Sequence, residues 1–106
     1  MLASTVVSKA RFILNDLGTT PRWSDATLLD YCDDMQMEVF RLRPDFALST
    51  AAAMEIPSID LLPDRLLLAA ADYVVYRVFL ADNSDTSNAQ RAQTHFTNFM
   101  NALGVS

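Results

Sequence analysis

The chain has little of what most enzymes and metal sites are built from. There is a single cysteine, Cys32, so no internal disulfide can form, which fits a reducing compartment. There is a single histidine, His95, so a paired Cys/His ligand set for a structural metal is excluded. The two glycines, Gly18 and Gly104, do not make a glycine-rich phosphate loop. Basic residues are scarce, with 8 Lys and Arg against 13 Asp and Glu and a net charge of −5. That balance argues against a grip on the phosphate backbone of nucleic acid, although DNA can pass nearby untouched. No repeat or low-complexity tract occurs. The opening MLASTVVSKARF has no basic segment followed by an apolar run, so no secretory signal is expected there.

What is present is apolar and patterned. Hydrophobic residues make up 51% of the 106 positions and charged ones 20%, which predicts one globular domain over 1–106. The longest apolar stretch runs from Pro63 to Ala81, PDRLLLAAADYVVYRVFLA. Leu67, Ala70, Ala71, Val74, Val78 and Phe79 recur at helical spacings. Leu66, Val75 and Leu80 widen the stripe until only a narrow polar strip is left. A helix apolar nearly all round is a buried one. Pro63 suits its first position, and Asp64 suits the positive end of its dipole. A membrane span is disfavoured, because Asp64, Arg65, Asp72 and Arg77 are costly in lipid.

Three further helices are expected. The first runs from Ser4 or Thr5 to Leu17, capped by Ser4, with Val6, Ala10, Ile13, Leu14 and Leu17 inward and Gly18 as its stop. The second starts at the N-cap Ser24, with Asp25 in its first turn. Its stripe is Leu28, Cys32, Met35, Val39 and Leu42, and Pro44 forces Arg43 out of helical geometry. Its acids lead and its arginines close, as the helix dipole favours, with Glu38 and Arg41 one turn apart. A polar break, Asp82 to Ser87, leads to the last helix, capped by Asp85, Thr86 or Ser87. Its stripe is Ala89, Ala92, Phe96, Phe99 and Leu103, with Met100 beside it and Gly104 as the stop. The predicted fold is all-α, a small four-helix bundle around one long buried helix.

Residues 45–62 have no clear period and read as an arm or loop, with Ala51 to Ile56 as a short extended piece. Long loops in small domains are usually functional or mobile. Met54 and Ile56 are apolar residues of this arm that want burial, and a neighbouring subunit could supply it.

No catalytic constellation is visible. His95 reads as a surface residue. Cys32 reads as a small buried hydrophobe on its helix stripe, away from any base. The acids Asp30, Asp33, Asp34 and Glu38 follow no calcium-loop spacing and read as a solvated face. Asp72 is the odd residue, a carboxylate in the middle of the most apolar helix. It is expected to meet Arg11 or Arg77, or to face a neighbouring subunit. Trp23 is placed to pack back on the first turn of the helix after it. No metal and no cofactor is expected, and the chain does not read as an enzyme.

Taken in order, several short motifs resemble a known family. They are Arg22-Trp23-Ser24-Asp25, Leu28-Leu29, Asp33-Asp34-Met35-Gln36 and Arg43-Pro44-Asp45, followed by Leu62-Pro63-Asp64, Asp72-Tyr73, Tyr76-Arg77, Asn88-Ala89-Gln90-Arg91-Ala92 and His95-Phe96. Together they resemble the adaptor, or head–tail connector, proteins of short-tailed phages over residues 5 to 103. Asp33 stands where asparagine is common in that family and Met35 where a small residue is common. The middle segment is shorter than in members with a β-rich insertion. The resemblance implies a virion protein of the phage neck, made in the bacterial cytoplasm. It implies a twelvefold ring docked below the portal protein that seats the next tail component, a nozzle, stopper or tail terminator. Genomic DNA would pass through its lumen without specific binding. It implies that Arg22, Trp23, Asp25, Gln36, Arg43 and Arg77 fix the bundle and its contacts, with Asp72, Met54 and Ile56 as further structural or interface residues. Each of these can equally be an ordinary fold residue.

The alternative is a small helical binding or regulatory module, such as an antitoxin-like dimer. Its DNA-binding version would need a basic recognition helix that this acidic chain does not offer. A small enzyme is the least favoured reading, for want of a nucleophile–base set.

Overall fold

The apolar stretch after Pro63 is the hub of the structure. The computed structural model describes residues 2–16, 22–44, 64–82 and 87–104. Within them are four α-helices: α1 (Ala3–Leu14), α2 (Asp25–Leu42), α3 (Leu67–Ala81) and α4 (Ser87–Ala102). No strand occurs among the described residues. Helix α3 packs against each of the other three, and α1 and α2 also pack against each other. The result is the small all-α four-helix bundle that the hydrophobic pattern predicts. A helix flanked on three sides has almost no solvent face, which explains why α3 buries every residue from Ala69 to Val75. The run Ala69-Ala70-Ala71 presents little side-chain bulk, so neighbouring helices can come close. Of the large apolar residues described in the run, only Leu68 and Leu80 are exposed.

The start of α3 differs from the expected one. Residues Asp64–Leu66 form a 3₁₀ turn, and the α-helix begins at Leu67. Leu66 occupies the N-cap and has no side-chain acceptor to offer. A tighter 3₁₀ turn is a common way into a helix under those conditions. Pro63 lies outside the described residues.

Both ends of α1 also differ. It starts at Ala3, with no side-chain cap, so Ser4 does not act as its N-cap. The carbonyl of Leu2 accepts instead from the N–H groups of Thr5 and Val6, at 3.1 and 3.2 Å. The helix stops at Leu14 because Asn15 takes a left-handed conformation, φ 56° and ψ 41°. Asparagine is one of the few residues besides glycine that enters this region readily. Leu17 and Gly18 lie outside the described residues. Val6 and Ala10 are buried as expected, and Val7 joins them.

Helix α2 follows its sequence signals closely. The Ser24 hydroxyl accepts from the Thr27 N–H at 3.1 Å and so caps the helix. Leu28, Cys32 and Met35 are fully buried, and Val39 nearly so. Burial, with a smaller push from the adjacent Asp33, raises the Cys32 thiol to about 12, so it behaves as a hydrophobe. The helix ends before Arg43, whose φ of −131° and ψ of 77° are not helical.

Helix α4 turns a slightly different face inward from the one expected. Ala92, Phe99 and Leu103 are buried, and Phe96 and Met100 pack against the core. Ala89 is exposed and Asn88 is buried in its place. Polarity hid this. The Asn88 amide donates to the Asp82 carbonyl at 3.2 Å, just past the end of α3. Gly104 ends the helix with φ 76°, its N–H donating to the Asn101 carbonyl at 3.0 Å. Asp85 and Thr86, two of the three cap candidates, lie outside the described residues, as do residues 45–62 with Met54 and Ile56.

Candidate functional site

The polar side chains gather in two places, a corner cleft and a seam. The corner forms where α1 ends, α2 begins and the end of α3 meets α4. Asp16 is its centre. Its Oδ1 accepts from the backbone N–H of Arg22 at 2.9 Å. Its Oδ2 accepts from Arg11 Nη1 at 2.9 Å and from the Trp23 N–H at 3.3 Å. One carboxylate thus ties the start of α2 to the end of α1. The Arg22 N–H, then that of Trp23 and the Arg11 charge, hold the Asp16 carboxyl below its ordinary value, while partial burial pulls the other way. Arg11 also reaches Asp25 at 2.6 Å, and Arg22 reaches Asp82 at 2.9 Å. The Arg22 guanidinium lies 5.8 Å from the Trp23 ring centre.

These residues surround a cleft of about 310 Å³. Leu14, Asn15 and Asp16 form one wall and Arg22 and Trp23 a second. Val78, Phe79, Asp82 and Arg91 form the third. Its volume is at the low end for sites that bind small groups.

The second gathering is the seam between α3 and α4. Tyr73 and Phe99 have ring centres 5.0 Å apart, and Tyr76 and Phe96 are 4.8 Å apart. Beside them, His95 Nδ1 and Asp72 Oδ1 are 2.9 Å apart, and the His95 ring stacks on Phe79 at 5.9 Å. This corrects two expectations. Asp72 does not meet Arg11 or Arg77, and His95 is not a free surface residue. The geometry explains both, since Arg11 is held at the corner by Asp16 and Asp25. Arg77 is also engaged elsewhere. Its Nη1 donates to Asp34 Oδ2 at 2.8 Å and to the Tyr73 hydroxyl at 3.2 Å, and its guanidinium lies 4.8 Å from the Tyr31 ring centre. Burial pushes the Tyr73 hydroxyl up, against the pull of Arg77.

The remaining residues singled out from the sequence are dispersed. Gln36 is buried on α2, and no buried side-chain nitrogen or oxygen among the described residues lacks a partner. Arg43 Nη1 donates to the Leu103 carbonyl and joins the ends of α2 and α4. Arg41 and Glu38 form the ion pair that their spacing suggests. The structure therefore brings Arg22, Trp23 and Asp25 into one network and leaves Arg43, Asp72 and Arg77 at separate joints, with Gln36 buried on α2. Sequence reasoning missed Asp16 and Asp82, and it named Asn88 and Arg91 only within the resemblance, with no role. Nothing in the spacing of Asp16 and Asp82 marks them, because Arg22 and Trp23, and for Asp82 Arg22 and Asn88, come from other parts of the chain.

Among the described residues no three His, Cys, Asp or Glu side chains converge as metal ligands. None of the described helices is long and apolar enough to cross a membrane. No family model, curated protein or solved structure matches the chain.

Proposed function

We propose that this chain is a structural adaptor of the phage neck. In this reading it forms a ring below the portal, joins the DNA-filled head to the tail, and lines the exit channel. One observation supports it above the others. Several residues that carry the family resemblance fasten helix to helix: Trp23 and Asp25 at the corner, Arg22 to Asp82, Arg77 to Asp34, Arg43 to the end of α4, and Asp72 to His95. That part of the motif is thus spent on rigidity. A subunit that transmits load between two larger assemblies needs a stiff body, and its polar groups are used on joints rather than on a reacting centre. The negative charge of the chain also suits a channel through which DNA must slide without sticking.

The test is assembly on the portal encoded in the same genome. Purified protein mixed with portal should give a stoichiometric ring in cryo-EM and a single heavier species by mass photometry. Folded protein that never binds portal under those conditions would remove the proposal.

A further inference from the structure

Two surfaces of the bundle carry complementary chemistry that its own fold leaves unused. The first is the corner cleft. Its acids are already engaged, Asp16 by Arg11 and Asp82 by Arg22. Arg91 is not neutralised in this way. It donates to Asn88 Oδ1 at 3.3 Å and lies 5.9 Å from the Phe79 ring centre, with no carboxylate ion-paired to it among the described residues. The cleft therefore offers a guanidinium beside two half-buried rings, Trp23 and Phe79. The second surface is the outer face of α2. Leu29, Asp33 and Met37 stand four residues apart, with Asp30 three before Asp33, so they share one face, and all four are exposed. Asp34 and Glu38 have arginine partners, whereas Asp30 and Asp33 have none among the described residues.

We propose that the α2 face of one copy docks into the corner cleft of the next. Asp33 meets Arg91, and Met37 packs against Phe79 and Trp23. A carboxylate and a guanidinium form the stronger kind of hydrogen-bonded pair, and a thioether packs well against aromatic rings. Both the charged and the apolar halves of each surface are matched. The two surfaces share no residue, so the contact is heterologous and each copy can engage two neighbours, the geometry that closes into rings. The contact deepens the ring reading above and rests on it for its biological setting.

Charge reversal tests it. Sedimentation velocity of the full chain, up to on the order of 100 µM, should show self-association. Arg91→Glu and Asp33→Arg should each raise the concentration for half-association about tenfold or more. The double reversal keeps the native net charge and should restore association. Melts followed by circular dichroism establish that each variant is folded; where a reversal is not, Arg91→Gln or Asp33→Asn replaces it, with a smaller loss expected. Asp33→Arg also makes the chain less negative, so stronger association in that variant alone would overturn the contact. So would a double reversal that fails to recover, or a native chain that stays monomeric throughout. A monomeric native chain that nonetheless rings on the portal sinks this contact and leaves the neck proposal standing. Self-association with the expected reversals, but no portal binding, does the opposite.

Discussion

The α3–α4 seam and the corner cleft hold the same bundle together by different means. The seam is a column of rings with one polar pair, Asp72 and His95, set against it. The corner is a web of charge in which one carboxylate collects two backbone N–H groups and a guanidinium. Apolar burial is worth roughly 25 cal/mol per Å² and needs only that surfaces meet. Exposed ion pairs are worth little individually, but they fix direction, and the corner uses them to set how the chain enters α2. The seam thus supplies stability and the corner supplies geometry.

That contrast can be broken from the strong side first. Phe99→Ala removes a fully buried ring at the centre of the seam. It should cost about 3–5 kcal/mol in urea denaturation, a large share of the stability of an ordinary domain. A loss below about 1 kcal/mol would mean that the seam is not the main stabiliser. Asp72→Ala leaves His95 without its partner in a partly buried site. About 1–3 kcal/mol is expected. A double-mutant cycle with His95→Ala should return a coupling of about 1 kcal/mol. Additive losses would show that the two act independently.

At the corner the effects should be smaller and should depend on pH. The Asp16 carboxyl is held below its ordinary value of 3.8 in the folded chain. Its contribution is therefore present above that value and fades as pH falls through the lower, folded one. The gap in Tm between native protein and Asp16→Ala should be full at neutral pH and close in acid below about pH 4. A gap that persists unchanged in strong acid would show that packing, not charge, underlies it. Arg22→Ala should matter least. Its side chain is 68% exposed in the pair with Asp82, and less than about 1 kcal/mol is expected. A larger loss in thermal melts would mean that the Arg22 stem, lying over Trp23, packs more than the contact distances suggest.

How far the sequence could be read follows the range of the interactions. Helix α2 was legible end to end, because Ser24, Asp25, the Leu28–Cys32–Met35–Val39 stripe and Pro44 all act within a turn or two of where they stand. The stop of α1 was not, because Asn15 and Gly18 could each take the left-handed conformation and only the path of the chain chooses between them. The inward face of α4 was misplaced by one residue because Asn88 is polar, and its amide is buried against the Asp82 carbonyl, a partner that only the packed helices supply. The corner site was partly legible. Arg22, Trp23 and Asp25 were marked by their motif, but Asp16, which organises them, carried no signal of its own.

The sequence by itself determined the helices and their buried sides. Hydrophobic spacing and terminal caps are local, and a chain with so apolar a run as residues 66–79 can only place it at the centre. The tertiary structure alone decided the polar partners. Asp72 chose His95 over two arginines, and Asp16 became a hub, because an ion pair depends on distances of about 3 Å between groups far apart in the chain. Those distances exist only once the helices have packed.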